Sequence, residues 1–475
     1  MTEVSKEYPI LWWTQWFHTD RYEGMVTDNC GLPYSCRHTL DRTKYTDAKV
    51  VVFHDWDPKD LPPVQDVHDN KKAWVLNTAE RPQAQAYQQK YISLFTYQFT
   101  YHFNSDFIGT YFTAGHQTAG AFINLVTRPP LHTLASKNLF RQTGFHSADP
   151  SPLAPVAWIV SNCNAISGRH FMVNQLKRHI NVDIYGHCIP NRAWPKRSDG
   201  QTDMTDEELV SHYKFYLAIE NANCEDYVTE KLERAFAAGT IPVVDGPSDY
   251  SRFMPASKSL IQYDDHGSPK QLADYLHRLD QDDALYQEYM TFRAPRTAEN
   301  TDERGQVRIN SPETFHQGYP NRLLPWFVDN WDIDTTGPLN KTMATADWRS
   351  KDGALQTSRA KYGMQWGPDG VGARCALCKA AHDLTEGVVQ LGGPTTKRLA
   401  IDTTCRFHKF YYPSWIIAFY PYRSLFLSVA LLLLIYLLVA VSGRRWARNV
   451  VMSARAFVGR RRGKQNQQYI PLARD

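Results

Sequence analysis

The sequence predicts an α/β protein with parallel sheets, followed by a transmembrane helix near the C-terminus. Short apolar runs typical of strands alternate with helical patterns, which favours strand–helix–strand units. A length of 475 residues is too long for one ordinary domain and indicates two. The uncharged run 424–442 is nearly long enough to cross the ~30 Å hydrocarbon core of a membrane.

Strand and helix patterns occupy the first 250 residues. The strand-like runs are 10–17, 49–53, 73–76, 157–161, 182–185, 216–219 and 240–244. Helical patterns cover 169–179 and 230–238, between strands of the second group. The prolines of 129–155 predict a linker between two domains.

These patterns divide the chain into five segments. The predicted limits are an N-terminal domain at 1–150, a second domain at 151–300, a C-terminal extension at 301–405, a membrane-proximal segment with its helix at 406–443, and a basic tail at 444–475. The core of the predicted transmembrane helix is 424–442.

The residues that flank 424–442 predict the topology. Tyr420 and Tyr422 precede this run, where aromatic side chains favour the membrane interface, and Arg444 and Arg445 follow it. The positive-inside rule therefore places the tail in the cytosol and the body in the lumen. A lumenal body needs an N-terminal targeting segment, and since none is visible we expect the true start to be missing.

The net charge of +4 conceals two opposite parts. Residues 443–475 contain nine Lys or Arg and one acid, so the remaining chain is mildly acidic. Duplex nucleic acid requires a basic face on the folded part, so we exclude nucleic acid as the main partner.

Eight cysteines are present. Cys375 and Cys378 form a lone CxxC, whereas a zinc ribbon needs a second such pair. Disulfides in an oxidising compartment are the simpler interpretation.

The stretch 215–247 carries the strongest sign of ligand binding. A strand ends near Asn221, and a helix begins after Thr229, a residue type that favours the N-cap position. Glu230 and Lys231 then lie in the first helical turn, outside the carboxyl end of a parallel strand, where α/β proteins bind ligands. Helix N-terminal N–H groups bind phosphate, and Lys231 adds a positive charge.

This stretch resembles the donor-binding signature of the α1,3/4-fucosyltransferases, glycosyltransferase family 10. Tyr227, Glu230 and Lys231 match the Tyr-x-x-Glu-Lys of that signature. The resemblance implies GDP-fucose as donor, with Lys231 on its diphosphate, Glu230 on the fucose hydroxyls, and Tyr227 and Asn221 near the nucleoside. Arg169 matches the family's phosphate-binding arginine, whose forked guanidinium suits a diphosphate.

The N-terminal half resembles the family more loosely. Glu80 precedes Arg81 and Pro82 where the family has Glu-Ser-Pro, and the resemblance implies that Glu80 is the general base. The stretch 95–106 resembles the family's acceptor-side segment, with departures that include His102. The resemblance covers about residues 8–295 and is strongest over 156–265.

The resemblance implies a GT-B fold, in which two Rossmann-like domains face each other across a cleft. It implies an inverting displacement of fucose onto a GlcNAc hydroxyl of a glycoconjugate. It further implies that no cofactor or metal is required and that a divalent ion is at most stimulatory. The acceptor stays open among a LacNAc antenna, the N-glycan core and a protein-linked sugar. The expected location is the Golgi membrane, with a single transmembrane pass.

Two covalent features complete these expectations. The family often ties N-terminal cysteines to a C-terminal CxxC, which implies bridges from Cys30 and Cys36 to Cys375 and Cys378, with the pairing open. Asn340 begins an Asn-Lys-Thr sequon and is a candidate for N-glycosylation.

Three alternatives remain. Asp55 and Asp57 form a DxD, which in other glycosyltransferases holds a metal ion against the donor. The chain could use another sugar nucleotide, or be a catalytically dead glycan-binding membrane protein. The joint presence of Arg169, Glu230 and Lys231 disfavours a dead protein, and comparing GDP with UDP binding separates the donors.

Overall fold

The structure is a computed structural model. It describes residues 6–16, 18–28, 32–54, 60–81, 94–102, 105–108, 111, 126, 129–146, 149–293, 371–391 and 405–406. Residues Met1–Tyr411 form one compact unit and Tyr412–Asp475 form a second. All the elements below belong to the first unit.

A seven-stranded sheet forms the N-terminal half. Its strands are β1 (Glu7–Trp12), β2 (Val26–Thr27), β3 (Ser35–Thr39), β4 (Val50–Phe53), β5 (Ala73–Thr78), β6 (Tyr97–Thr100) and β7 (Phe107–Ile108), in the order β2-β3-β1-β4-β5-β6-β7. All neighbours are parallel except β2 and β3. Every residue of β4 and β5 is buried, as their continuous apolar runs predict for strands covered on both faces. A 3₁₀ turn (Arg42–Tyr45) and α1 (Gln65–His68) lie between the strands.

A five-stranded, wholly parallel sheet forms the second half. Its strands are β8 (Val156–Ile159), β9 (Val182–Tyr185), β10 (Phe215–Ile219), β12 (Ile241–Asp245) and β13 (Ile261–Gln262), in the order β13-β12-β10-β8-β9. The helices of this half are α2 (Leu134–Thr143), α3 (Arg169–Leu176), α4 (Asp206–Ser211), α5 (Glu230–Ala238), α6 (Pro269–Gln281) and α7 (Asp283–Glu288). Two further 3₁₀ turns are Ser251–Phe253 and Tyr263–Asp265.

Local sequence explains where several helices begin and end. Thr205 and Glu208 form a reciprocal capping box at the start of α4. Ser268 caps α6, which has Pro269 in its first turn. Gly239 ends α5 with a φ of +67°, and a Cβ there would lie 2.3 Å from the Cβ of Pro130. Gly239 therefore allows both the left-handed turn and close packing on Pro130.

A C-terminal helix returns to the first sheet. Helix α8 (Val371–Thr385) contributes Ala376, Leu377, Cys378, Ala380 and Ala381 to the core around β1, β3 and β4. Cys36 of β3 is disulfide-bonded to Cys378 of α8, which confirms one bridge of the expected set. Cys375 is also disulfide-bonded. Cys30 lies outside the described residues, so its bridge stays a prediction.

Two further disulfides lie near the second sheet and were not predicted. Cys163 is bonded to Cys188, which joins the segments after β8 and β9. Cys224 is bonded to Cys405, where β11 (Asn223–Cys224) pairs antiparallel with β14 (Cys405–Arg406). Both bridges join residues at least 25 positions apart in sequence.

The structure corrects two expectations. Among the residues that it describes, no helix is long and apolar enough to cross a membrane, so the transmembrane part of the expected fold class is unsupported and the described fold is α/β. The run 424–442 and Asn340 lie outside the described residues. The stretch 129–155, expected to be a linker, contains helix α2, with Thr133 as its N-cap. The five domain limits stay a prediction.

Acidification tests the packing of the first sheet through His38, which is fully buried. Trp12 Nε1 donates to its Nδ1 at 3.0 Å, and Thr27 Oγ1 lies 3.0 Å from its Nε2. Burial, helped by Arg374, lowers the pKa of His38 to about 3. The unfolded chain therefore binds one more proton than the folded chain between about pH 6.5 and pH 3.

We expect this histidine to reduce the free energy of unfolding by up to about 1.4 kcal/mol per pH unit below pH 6.5. Urea unfolding at pH 7.5, 6.0 and 5.0 should show a steeper loss for the wild type than for His38→Gln, which cannot titrate. Other acid-sensitive groups cancel in that difference. Equal slopes for the two proteins would contradict the prediction.

Candidate active site

A cavity of about 380 Å³ opens at the carboxyl ends of the second sheet. Parallel sheets bind ligands at this edge, because loops and helix N-termini meet there. Two residues of the N-terminal half, Glu80 and Tyr111, close its other side. The remaining lining residues are Ile159, Val160, Ser161, Asn162, Arg169, Gly186, Trp194, Asp206, Asn221, Tyr227, Thr229, Glu230, Lys231 and Arg234.

Arg169 is the first residue of α3 and is only 2% exposed. Its Nη1 donates to the carbonyl of Ile219 at 3.1 Å, and its Nη2 donates to the carbonyl of Asn162 at 2.9 Å. Its Nε has no hydrogen-bond partner among the described residues. Burial lowers the pKa of Arg169, and the negative charge of Glu220 opposes that effect. The guanidinium is thus held across the ends of β8 and β10 and keeps donor capacity for an anion.

The start of α5 is organised by Glu220, which follows β10 and is 1% exposed. Its Oε1 accepts from the backbone N and the Oγ1 of Thr229, both at 2.9 Å. Its Oε2 accepts from Lys231 Nζ, also at 2.9 Å. Thr229 is the N-cap residue by position, but its side chain bonds Glu220 and does not cap the helix. The backbone N–H groups of this first turn therefore lack a side-chain cap from Thr229.

Lys231 and Glu230 lie side by side at the cavity. Lys231 Nζ also donates to Thr229 Oγ1 at 2.5 Å and to Glu230 Oε1 at 3.2 Å. Burial by itself would lower the pKa of Lys231, but Glu220 and Glu230 outweigh it and hold the pKa above its usual value. Glu230 has a side chain 49% exposed and lies at the rim. Lys231 and Arg234 hold the pKa of Glu230 below its usual value, against the effect of burial.

Three tyrosines connect Glu80 to the second sheet. Tyr111 Oη donates to Glu80 Oε1 at 3.3 Å. The ring of Tyr227 contacts Tyr111 and Tyr101, with centroids 6.1 Å and 5.0 Å apart. Burial raises the pKa of Tyr227 well above its usual value, and the charges of Glu220 and Glu80 add to this rise. These tyrosines therefore stay protonated as donors at neutral pH.

The structure brings together all six residues predicted for the site. Glu80, Arg169, Asn221, Tyr227, Glu230 and Lys231 line the one cavity. Their proposed roles stay predictions.

Sequence reasoning missed the lining residues Tyr111, Trp194, Asp206 and Arg234, and also Glu220, which contacts Lys231. Glu220 had a signal, since an acid directly after a buried parallel strand falls at the ligand edge of the sheet. Tyr111 and Trp194 had none, because their approach depends on how distant segments pack.

One group of possible metal ligands lies outside the lining of this cavity. His102, Glu225 and Asp226 each offer an atom within 4.8 Å of the others. His102 follows β6, and the two acids precede α5, so the group joins the two halves. Asp55 and Asp57, the DxD alternative, lie outside the described residues.

Two cations at the carboxyl edge of a parallel sheet, beside an uncapped helix start, are typical of α/β proteins that bind a phosphorylated ligand. Residues 5–112 match the family model "Fucosyltransferase, N-terminal", and residues 152–313 match "Glycosyltransferase family 10 (fucosyltransferase) C-term". The chain belongs to glycosyltransferase family 10, the fucosyltransferases.

Similar proteins include several named "GDP-fucose protein O-fucosyltransferase 3". The Xenopus tropicalis protein is 30% identical over 296 residues, which are 60% of this chain and 58% of that protein. The Xenopus laevis protein is 30% identical over 359 residues, or 72% of each chain. The solved structure "Crystal Structure of alpha1,3-Fucosyltransferase with GDP" is 15% identical, with a TM-score of 0.41 over 65% of this chain and 86% of that one. A likeness this weak adds nothing to the family assignment.

Arg169→Lys tests the anion site. A lysine has no fork that could span the carbonyls of Ile219 and Asn162 and still present donors to a phosphate. We expect GDP affinity to fall by about 10- to 100-fold, the effect of losing charge-assisted hydrogen bonds.

Titration calorimetry measures this loss of GDP affinity. Arg178→Lys is the matched control, because Arg178 is exposed just after the same helix. An Arg169→Lys affinity within twofold of the wild type would contradict the assignment.

Proposed function

We propose that this chain transfers L-fucose from GDP-fucose to a protein hydroxyl, with inversion at the anomeric carbon. The observation that carries the proposal is one cavity with Arg169 and Lys231 on one side and the carboxylate of Glu80 on the other. Its volume of about 380 Å³ lies in the usual range for small-molecule sites, ~300–1,000 Å³.

The reaction is a single displacement. Glu80 takes the proton from the acceptor hydroxyl, and the acceptor oxygen forms a bond to the fucose anomeric carbon. The bond from that carbon to the β-phosphate oxygen breaks, and its electron pair leaves with GDP. Arg169, Lys231 and the N-terminus of α5 stabilise the charge that develops on the β-phosphate. Tyr111 orients Glu80 through its hydrogen bond.

The names of the relatives support a protein acceptor. They are called protein O-fucosyltransferases, whereas the sequence resemblance led us to expect a GlcNAc hydroxyl. The chain spans 58% of the Xenopus tropicalis protein, so a protein acceptor for this chain is a proposal. We take the hydroxyl of a serine or threonine as the acceptor, and the GlcNAc hydroxyl as the outcome that would replace it.

The disulfides support an oxidising compartment for this reaction. The bonded pairs Cys36–Cys378, Cys163–Cys188 and Cys224–Cys405 are of the kind that persists in the secretory pathway. We propose that the body works in the secretory lumen, with the Golgi as the compartment. Recovery of the expressed protein with Golgi markers on fractionation would support this, and recovery with cytosolic markers would contradict it.

Glu80→Gln tests the general base. We expect turnover to fall by about 10²- to 10⁴-fold, the usual contribution of a positioned base. GDP affinity should stay within twofold, since the amide keeps the shape of the side chain. Glu7→Gln is the matched control, because Glu7 is exposed at the start of β1 and pairs there with Arg37. Unchanged turnover in Glu80→Gln would assign the base elsewhere.

The linkage of the product tests the acceptor. Fucose transferred from radiolabelled GDP-fucose to secretory proteins should be released by mild alkaline β-elimination, which cleaves serine and threonine linkages. Release by peptide N-glycosidase instead would identify an N-glycan GlcNAc as the acceptor. A wild-type protein that neither binds GDP nor hydrolyses or transfers from GDP-fucose would overturn the function itself.

A further inference from the structure

A buried acid behind the cavity has no part in the chemistry described above. Glu220 accepts hydrogen bonds at 2.9 Å from the backbone N and Oγ1 of Thr229 and from Lys231 Nζ. Both partners belong to the start of α5, whereas Glu220 follows β10. Its backbone N donates to the carbonyl of Asp245 at 2.8 Å, which ties it to the neighbouring strand. One side chain therefore couples the sheet edge to the helix start.

The fold leaves room for this acid beside the next turn. A Cβ at Gly246, just after β12, would lie 2.5 Å from Tyr250 Oη and 3.1 Å from the Cγ of Glu220. Any larger residue at 246 would push against the Glu220 side chain. Glycine at 246 therefore leaves the space that the Glu220 side chain occupies.

The Glu220 carboxylate offsets the positive charges of Lys231 and Arg169. Lys231 faces Glu220 and Glu230, and Arg169 lies close enough to both acids for its charge to interact with them. The positive charge of Lys231 acts to lower the pKa of Tyr216, and the negative charge of Glu220 helps to raise the pKa of Tyr111 and Tyr227. A carboxylate removed from water is stable when it is paired and fully hydrogen-bonded, as Glu220 is here.

We propose that Glu220 is a positioning residue that holds the Lys231 ammonium and the Thr229 turn against the diphosphate of the donor. An ammonium has three N–H donors, and in this structure the Lys231 ammonium donates to Glu220, Thr229 and Glu230. The contact with Glu230 is the longest, at 3.2 Å, and the most exposed. A diphosphate oxygen takes that third position, and the released Glu230 carboxylate is then free to accept from the sugar.

This inference rests on the proposed function, and a double-mutant cycle tests it. Glu220→Gln keeps the size of the side chain but removes the charge, and we expect kcat/KM for GDP-fucose to fall about 10- to 100-fold. If Glu220 acts through Lys231, the double variant with Lys231→Ala should lose no more than Lys231→Ala alone, within threefold. Losses that multiply would overturn the proposal.

The pH profile supplies a readout that a purely structural role would not move. In the wild type, Glu220 helps to hold the pKa of Lys231 above its usual value. In Glu220→Gln, Lys231 loses one of the two carboxylates that raise its pKa, while Arg169 still acts to lower it. The pKa of Lys231 should therefore fall, and the alkaline limb of the kcat/KM profile should move to lower pH by about one unit or more. An unmoved limb would contradict the proposal. Glu288→Gln, in the exposed pair with Lys258, is the matched control.

Two further measurements keep the outcomes separable. Glu220→Asp retains the charge on a shorter stem and should restore the alkaline limb, even where Glu220→Gln unfolds at a lower temperature. If Glu220→Asp showed the same pH profile of kcat/KM as Glu220→Gln, the proposal would be overturned. GDP titration of the wild type tests the proposed function separately. A wild type that binds GDP and transfers fucose, with multiplying losses in the cycle, would remove the inference alone.

Discussion

The buried ion pair between Glu220 and Lys231 is the constraint on which the candidate site depends. Breaking a buried pair costs about 3–5 kcal/mol, because the remaining charge is left without a partner in a poorly solvated place. Glu220 is 1% exposed on its side chain, so water cannot replace Lys231 as its partner, whereas Lys231 is 14% exposed and lines the cavity. The pair holds the Lys231 ammonium at the N-terminus of α5 before any ligand binds. Preorganised charge of this kind lowers the cost of stabilising a leaving group.

The cavity joins two halves that provide different chemistry. The second sheet supplies Arg169 and the helix start, which suit an anion, and the first half supplies the carboxylate of Glu80. Contacts between Tyr101, Tyr111 and Tyr227 connect the two sides, and the Cys224–Cys405 bridge lies in the same cluster. The proposed inverting displacement needs such opposed groups, because its base and its leaving group act on opposite faces of one carbon.

Much of the second sheet was predictable, since buried parallel strands read as continuous apolar runs. The strand 182–185 and the helix 230–238 have the expected bounds. The helix inside 129–155 was missed because its prolines suggested a linker, although they flank the ten residues of α2. The run 424–442, expected to be a transmembrane helix, lies outside the described residues, and none of the described helices is long and apolar enough to cross a membrane. The bridges Cys163–Cys188 and Cys224–Cys405 were missed because pairing depends on proximity in three dimensions.

The amino-acid sequence by itself determined the α/β class, the strand that ends at the ligand edge and the helix start that carries Glu230 and Lys231. Those features are local, because they follow from apolar runs and from residues within one helical turn. Only the tertiary structure decided that Glu80 and Tyr111 close the same cavity and that Glu220 holds Lys231. Glu80 and Tyr111 reach this cavity only because the two halves pack together. Glu220 and Lys231 are 11 residues apart and meet because the end of β10 packs beside the start of α5, which local propensity does not encode.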